Sequence, residues 1–123
     1  MEYSSLQILS ELRDDPALRE FVLEANGGSM FPTIVKGDRL HLVRCRNSDI
    51  NPGDIILAQD PYGRFLIHRV VQISPTLRTR GDAMDSDDAE RLDSIAIVRN
   101  IEKTFRSRLR RFMIHTRKIF YAK

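Results

Sequence analysis

From Gly37 onward, turn signals recur at short intervals and keep every apolar stretch brief. They are Gly37-Asp38, Asn51-Pro52-Gly53-Asp54, Pro61-Tyr62-Gly63 and Gly81-Asp82. Glycine, proline and aspartate at such spacing favour tight turns over continued helix. The segments between them read as strands: Arg39 to Val43, Ile55 to Gln59, Phe65 to Ile73, Leu77 to Thr79 and Ile95 to Val98. Closely spaced strands of this kind predict a mainly β fold, a single antiparallel sheet curled into a barrel. With 123 residues and no linker, repeat or low-complexity segment, the chain is expected to form one domain.

Both flanks of this β core, which spans 27–100, read as helical. In the N-terminal layer, 1–26, Ile8, Leu9 and Leu12 form one apolar stripe. Asp15 can cap a second helix that starts at Pro16. Leu18, Phe21 and Val22 have i, i+3, i+4 spacing, and Asn26-Gly27 provides a stop. A DNA-binding helix-turn-helix is the sharper alternative, but the segment is short for three helices and has no basic recognition face.

At the other end, 101–121 predicts a basic amphipathic helix. Ile101, Phe105, Leu109, Phe112, Met113, Ile119 and Phe120 share one side of a helical wheel. Lys103, Arg106, Arg110, Arg111, Arg117 and Lys118 fill the other. From Asn100 to Lys123 eight basic residues face only Glu102, a net +7, so the remaining residues carry −4 of the total +3. An acidic body with a basic amphipathic end points to an anionic membrane surface as partner, or to a helix that packs on the domain. Nucleic acid is disfavoured as a partner, because the aromatic residues lie on the apolar side and not among the arginines.

No stretch approaches the roughly eighteen apolar residues that span a bilayer. Glu11, Arg13, Asp14 and Asp15 interrupt the N-terminus where a secretory signal would need an apolar run. A lone Cys45 cannot make an internal disulfide. The expected location is the cytoplasm, peripheral on a membrane if the tail binds one.

The chemistry converges on Gly27-Gly28-Ser29-Met30-Phe31-Pro32-Thr33. Glycines permit positive φ or close approach, and Pro32 restricts both itself and Phe31. Ser29 is thereby mounted on a predetermined turn, as a nucleophilic hydroxyl requires. An ordinary solvated turn is the plain alternative. A serine also needs a base within hydrogen-bond reach. His41 lies one strand past the turn and His115 lies in the basic tail. His68 sits mid-strand, where alternation puts Leu66, His68 and Val70 on one face and Ile67 and Arg69 on the other. Its plain reading is a satisfied core histidine; its chemical reading is a general base. Histidine needs little adjustment for that role near neutral pH, but it needs a carboxylate to fix its tautomer. Asp82 and Asp88 are the candidates. The aspartates at 85, 87 and 88 also raise calcium, but the EF-hand order is missing. No zinc spacing exists, so no metal or other cofactor is expected.

Ser-Met-x-Pro-Thr, Gly37-Asp38, His68-Arg69-Val70, and Gly81-Asp82 followed by Asp88 occur in the order that resembles the signal peptidase I family of serine endopeptidases. The similarity covers roughly 27–100. It is to the branch with histidine in place of the general-base lysine, as in the endoplasmic reticulum and archaeal enzymes. The resemblance implies a Ser29–His68 dyad supported by Asp82 and Asp88, with Asp88 the partner of His68. It implies an extended peptide bound near Met30, Phe31 and Pro32, in a shallow pocket for small side chains. Backbone N–H groups of Gly28 and Ser29 are the natural oxyanion donors. Ala83-Met84 departs from the Asn-Asn common in relatives, and no stretch before Ser29 is expected to act as the family's usual transmembrane anchor. Two other functions compete. One is a non-catalytic peptide- or membrane-binding module. The other is a self-cleaving regulator of the LexA type, against which stand His68 in place of a lysine and the short N-terminus.

Overall fold

The structure is a computed structural model that describes residues 2–3, 10–12, 14–88 and 91–109. Seven strands form one sheet: β1 (Glu2–Tyr3), β2 (Glu20–Glu24), β3 (Arg39–Arg44), β4 (Ile55–Gln59), β5 (Phe65–Gln72), β6 (Arg78–Arg80) and β7 (Asp93–Glu102). Their spatial order is β1-β2-β3-β7-β4-β5-β6. All neighbours pair antiparallel except the two-residue β1, which lies parallel to β2. Among the described residues the sheet is open, and the expected barrel does not close. Its edge strands are very short, which limits the free main-chain groups they present.

The last strand in sequence is central in space. β7 pairs with β3 on one side and β4 on the other. Its registers jump between His41 and Leu42 of β3 and between Leu57 and Ala58 of β4. Arg99 and Ile95 are thereby left over as extra residues on β7, and such bulges bend and twist a sheet. Both faces of the sheet are covered. Phe21, Leu23, Leu40, Leu42, Leu57 and Ala96 pack on one side with Met30 and Ile34. Ile50, Ile56, Ala58, Val70, Leu92 and Ile97 pack on the other. Burial on two sides explains why β4 and the Ile95–Val98 stretch of β7 read as continuous apolar runs. The expected alternation in β5 holds for its aliphatics: Leu66 and Val70 join the second cluster, Ile67 the first.

Two helical expectations are corrected. The stretch read as a second N-terminal helix contains β2, whose Phe21 and Leu23 pair with Leu42 and Leu40. Helical spacing over so few residues is equally compatible with a strand whose three central side chains are all buried. Asp15 does accept a main-chain bond, from Ala17 N–H at 3.0 Å, but it caps a turn. Helical conformation precedes it, at 10–12 and 14, and Ile8 and Leu9 of the predicted stripe lie outside the described residues. At the C-terminus, Ile101 and Glu102 belong to β7, and helix begins only at 105. Thr104 caps it: its hydroxyl accepts the Ser107 N–H at 3.1 Å while Ser107 Oγ accepts the Thr104 N–H at 2.9 Å. The predicted helix beyond 109 lies outside the described residues. Ile95 to Val98 is therefore only the middle of a strand that starts at Asp93. No helix among the described residues is long and apolar enough to cross a membrane.

Leu40 is fully buried in β3 between β2 and β7. Leu40→Ala is expected to lower stability by about 2–5 kcal/mol, read from urea unfolding. An unchanged midpoint would contradict this core.

Candidate active site

The β2–β3 connection, 25–38, carries Ser29. Its base is closed by main-chain bonds from Ala25 N to Asp38 O at 2.7 Å and from Gly37 N to Ala25 O at 3.0 Å. Gly37 has φ 97°, a left-handed value that glycine adopts without steric cost. Met30, Ile34 and Val35 are buried and pin the loop to the sheet. Inside it, Phe31 N donates to Gly28 O at 3.2 Å and Ile34 N to Met30 O at 3.0 Å. The expectation for Gly27 and Gly28 is corrected. Neither has positive φ, and a Cβ on either would meet nothing within 4 Å.

The close approach occurs across the site, at Gly81. A Cβ there would lie 2.5 Å from Ser29 O and 3.1 Å from Ser29 Cβ. Glycine lets the chain after β6 lie flat against the serine. Ala83 N then donates to Ser29 O at 2.9 Å, and Asp82 N reaches Met30 Sδ at 3.3 Å. Ser29 is thus held through its carbonyl by the 81–83 chain.

His68 projects from β5 between two partners. Its Nε2 lies 2.9 Å from Ser29 Oγ, and its Nδ1 lies 2.6 Å from Asp88 Oδ2. A carboxylate only accepts, so the Nδ1 proton belongs to the Asp88 bond. In the neutral form of the ring, Nε2 is then the acceptor for the serine hydroxyl, the tautomer a general base requires. Asp88 is itself fixed. Thr79 Oγ1 donates to the same Oδ2 at 2.5 Å, and Asp88 N donates to Thr79 O at 2.8 Å. The His68 and Asp88 side chains are only 12% and 19% exposed, so little water competes for their bond.

Asp82 is in the same loop but does different work. Arg69 grips it through Nε to Oδ1 and Nη2 to Oδ2, both at 2.8 Å. Thr33 Oγ1 donates to Oδ2 at 2.6 Å. The Arg69 bonds, joined by Thr33 and opposed by partial burial, hold the Asp82 carboxyl below the usual range. Asp82 braces the serine loop against β5 and makes no hydrogen bond to His68. Arg69 also donates to Gly53 O at 2.8 Å.

Ser29 and His68 border an apolar groove of about 270 Å³. Leu23, Met30, Ile34, Leu57, Phe65 and Ile67 are among its lining residues. Of the predicted substrate-binding residues, Met30 lines this groove, whereas Phe31 is half-buried and Pro32 exposed. His41 is separate: it meets Glu102 at 3.3 Å beside Arg39. Among the described residues, no group of three or more His, Cys, Asp or Glu is placed to hold a metal ion. No protein-family model and no curated protein matches this chain.

Sequence reasoning missed four participants. Thr33 and Arg69 stand inside the motifs already singled out, and a polar residue next to Pro32 and a charged one inside an aliphatic strand were the available signals. Thr79 has no local signal, since its hydroxyl matters only opposite Asp88. Lys103 was placed on the basic face of the tail helix, yet its Nζ lies 2.8 Å from both Thr33 O and Asp38 Oδ2.

Two outcomes test this arrangement. Gly81→Ala should destabilise the protein by about 1–3 kcal/mol through overpacking against Ser29. A wild-type unfolding midpoint would refute the contact. Because folding lowers the Asp82 pKa, its stabilisation is fully present above the unfolded value near 3.9 and fades as pH falls through the lower folded value. Asp82→Asn should therefore be less stable at pH 7 and lose less stability on acidification to pH 3. Acid limbs that run parallel to wild type would exclude the Arg69–Asp82 linkage.

Proposed function

We propose that this protein is a serine endopeptidase that cleaves a leader-type or precursor peptide bound in extended form. One observation carries the reading: the Ser29 Oγ–His68 Nε2–Asp88 Oδ2 relay, with distances of 2.9 and 2.6 Å. As Oγ attacks the scissile carbonyl carbon, its proton passes to His68 Nε2. Asp88, held by Thr79, stabilises the imidazolium that forms. The carbonyl oxygen takes the developing charge, with Gly28 and Ser29 backbone N–H groups as its donors. His68 then returns the proton to the departing amine, and the acyl group stays on Ser29. Water activated by the same base completes hydrolysis.

The groove supports a peptide substrate. β6 pairs with β5 only from Arg69 to Gln72, which leaves the Phe65–His68 edge unpaired among the described residues. Gly27 lines the same groove and leaves open space where a Cβ would stand. An extended main chain can add to such an edge, with its side chains sampling the apolar floor. The resemblance to the histidine-type signal peptidases supports the same substrate class.

Ser29→Ala is expected to abolish both peptide cleavage and labelling by a fluorophosphonate, a loss of roughly 10⁴–10⁶-fold. His68→Ala should fall comparably, and Asp88→Asn by up to about 10⁴-fold. Undiminished labelling of the Ser29→Ala protein would sink the assignment and leave a peptide-binding module.

The C-terminal end supports a membrane-surface role for the same enzyme. Phe105 is 83% and Leu109 49% exposed, one turn apart, beside exposed Arg106 and Arg108. Apolar and basic groups together favour an anionic bilayer surface. The protein should sediment with vesicles containing anionic lipid and release partly as salt rises. Phe105→Glu with Leu109→Glu should remove the salt-resistant fraction. Equal sedimentation of the double variant would reject this surface.

A further inference from the structure

The loop 25–38 is anchored by a residue from outside the relay. Lys103 follows β7 directly, and two of its three ammonium donors are spent on this loop: one on Thr33 O and one on Asp38 Oδ2, each at 2.8 Å. Asp38 is completely buried at the loop's base, and its Oδ2 also accepts Val35 N–H at 2.9 Å. Burial alone would raise its pKa. Lys103, Ser107 and the Val35 N–H outweigh that and keep it lowered. The next turn reinforces the clamp, with Thr104 Oγ1 donating to Gly37 O at 2.9 Å.

Thr33 is the hinge of this arrangement. Its carbonyl is drawn toward Lys103 while its hydroxyl is drawn to Asp82, which Arg69 holds from the residue after His68. Four residues before Thr33 stands Ser29, whose carbonyl takes the Ala83 N–H. The loop is therefore stretched between two fixed points, the Lys103 ammonium behind it and the 81–83 chain in front. We infer that Lys103 is a positioning residue for Ser29: it sets the serine's distance to His68 through Thr33 and Asp38. The inference rests on the peptidase reading for its consequence in catalysis, and on hydrogen bonding alone for its consequence in structure. A side chain at the start of the C-terminal segment thus reports to the nucleophile, which links that segment's placement to reactivity.

The Ala83 amide reads the seat of Ser29 without any substrate, through native-state hydrogen exchange. Lys103→Met leaves Asp38 buried without its cation and can fail to fold, so the decisive variant pairs it with Asp38→Asn, which removes both charges. In that double variant Ala83 exchange should rise roughly tenfold or more, the scale of a lost charge-assisted hydrogen bond. Amides in the β4–β5 pairing should keep wild-type rates. Fluorophosphonate labelling of Ser29 should slow, and kcat should fall with KM little changed. Lys103→Arg, which can still donate to both acceptors, should restore most of the labelling rate. Unchanged Ala83 exchange overturns the inference. So does an equal rise in the β4–β5 amides, which makes Lys103 a contributor to stability only. If wild-type protein is never labelled at Ser29 but Ala83 exchange still rises, the coupling stands and the peptidase reading falls.

Discussion

The site depends on one close main-chain approach, where the chain leaving β6 lies against Ser29 with no side chain between. Gly81 makes the contact possible, and the Ala83 N–H locks it onto the Ser29 carbonyl. Once that seam exists, the rest is constrained. The segment after Gly81 runs on to bring Asp88 back beside Thr79, where it meets His68 Nδ1, the nitrogen away from Ser29. A side chain at 81 would separate the two walls and move the hydroxyl from the imidazole. A donor–acceptor pair weakens steeply beyond ordinary hydrogen-bond distance.

Two aspartates of one loop perform opposite kinds of work. Asp88 faces the His68 ring and the Thr79 hydroxyl, with no permanent cation bonded to it. Asp82 faces a permanent guanidinium and a hydroxyl, and its charge is already matched. Arg69, one residue after His68, points away to the bracing aspartate because successive side chains of a strand alternate in direction. β5 therefore directs His68 toward Ser29 and Asp88 and Arg69 toward Asp82.

Much of this is readable in the sequence. Short apolar stretches between glycine- and proline-bearing turns specified antiparallel strands, and four of the five expected strands lie close to their expected places. Ser29 and His68 were legible as a serine on a glycine- and proline-bearing turn and a polar residue inside an aliphatic strand, whereas the choice of Asp88 over Asp82 came only from the family resemblance. β2 was misread because a burst of buried residues at 21–23 satisfies helical and strand spacing alike. Its true partner, β3, decides the matter. Lys103 was misassigned for a related reason. A basic residue in a periodic segment fits a solvated face until a buried carboxylate is found opposite it.

The sequence by itself determined the fold class, the turn positions and the chemical types at the site, because these follow from backbone freedom and side-chain chemistry acting over a few residues. Tertiary structure alone decided which strand is central, that the sheet stays open among the described residues, that Asp82 is taken by Arg69 and Thr33, and that Lys103 turns back to Thr33 and Asp38. Those outcomes depend on contacts between residues far apart in the chain. Their energies come from burial and partner geometry, which no local pattern encodes.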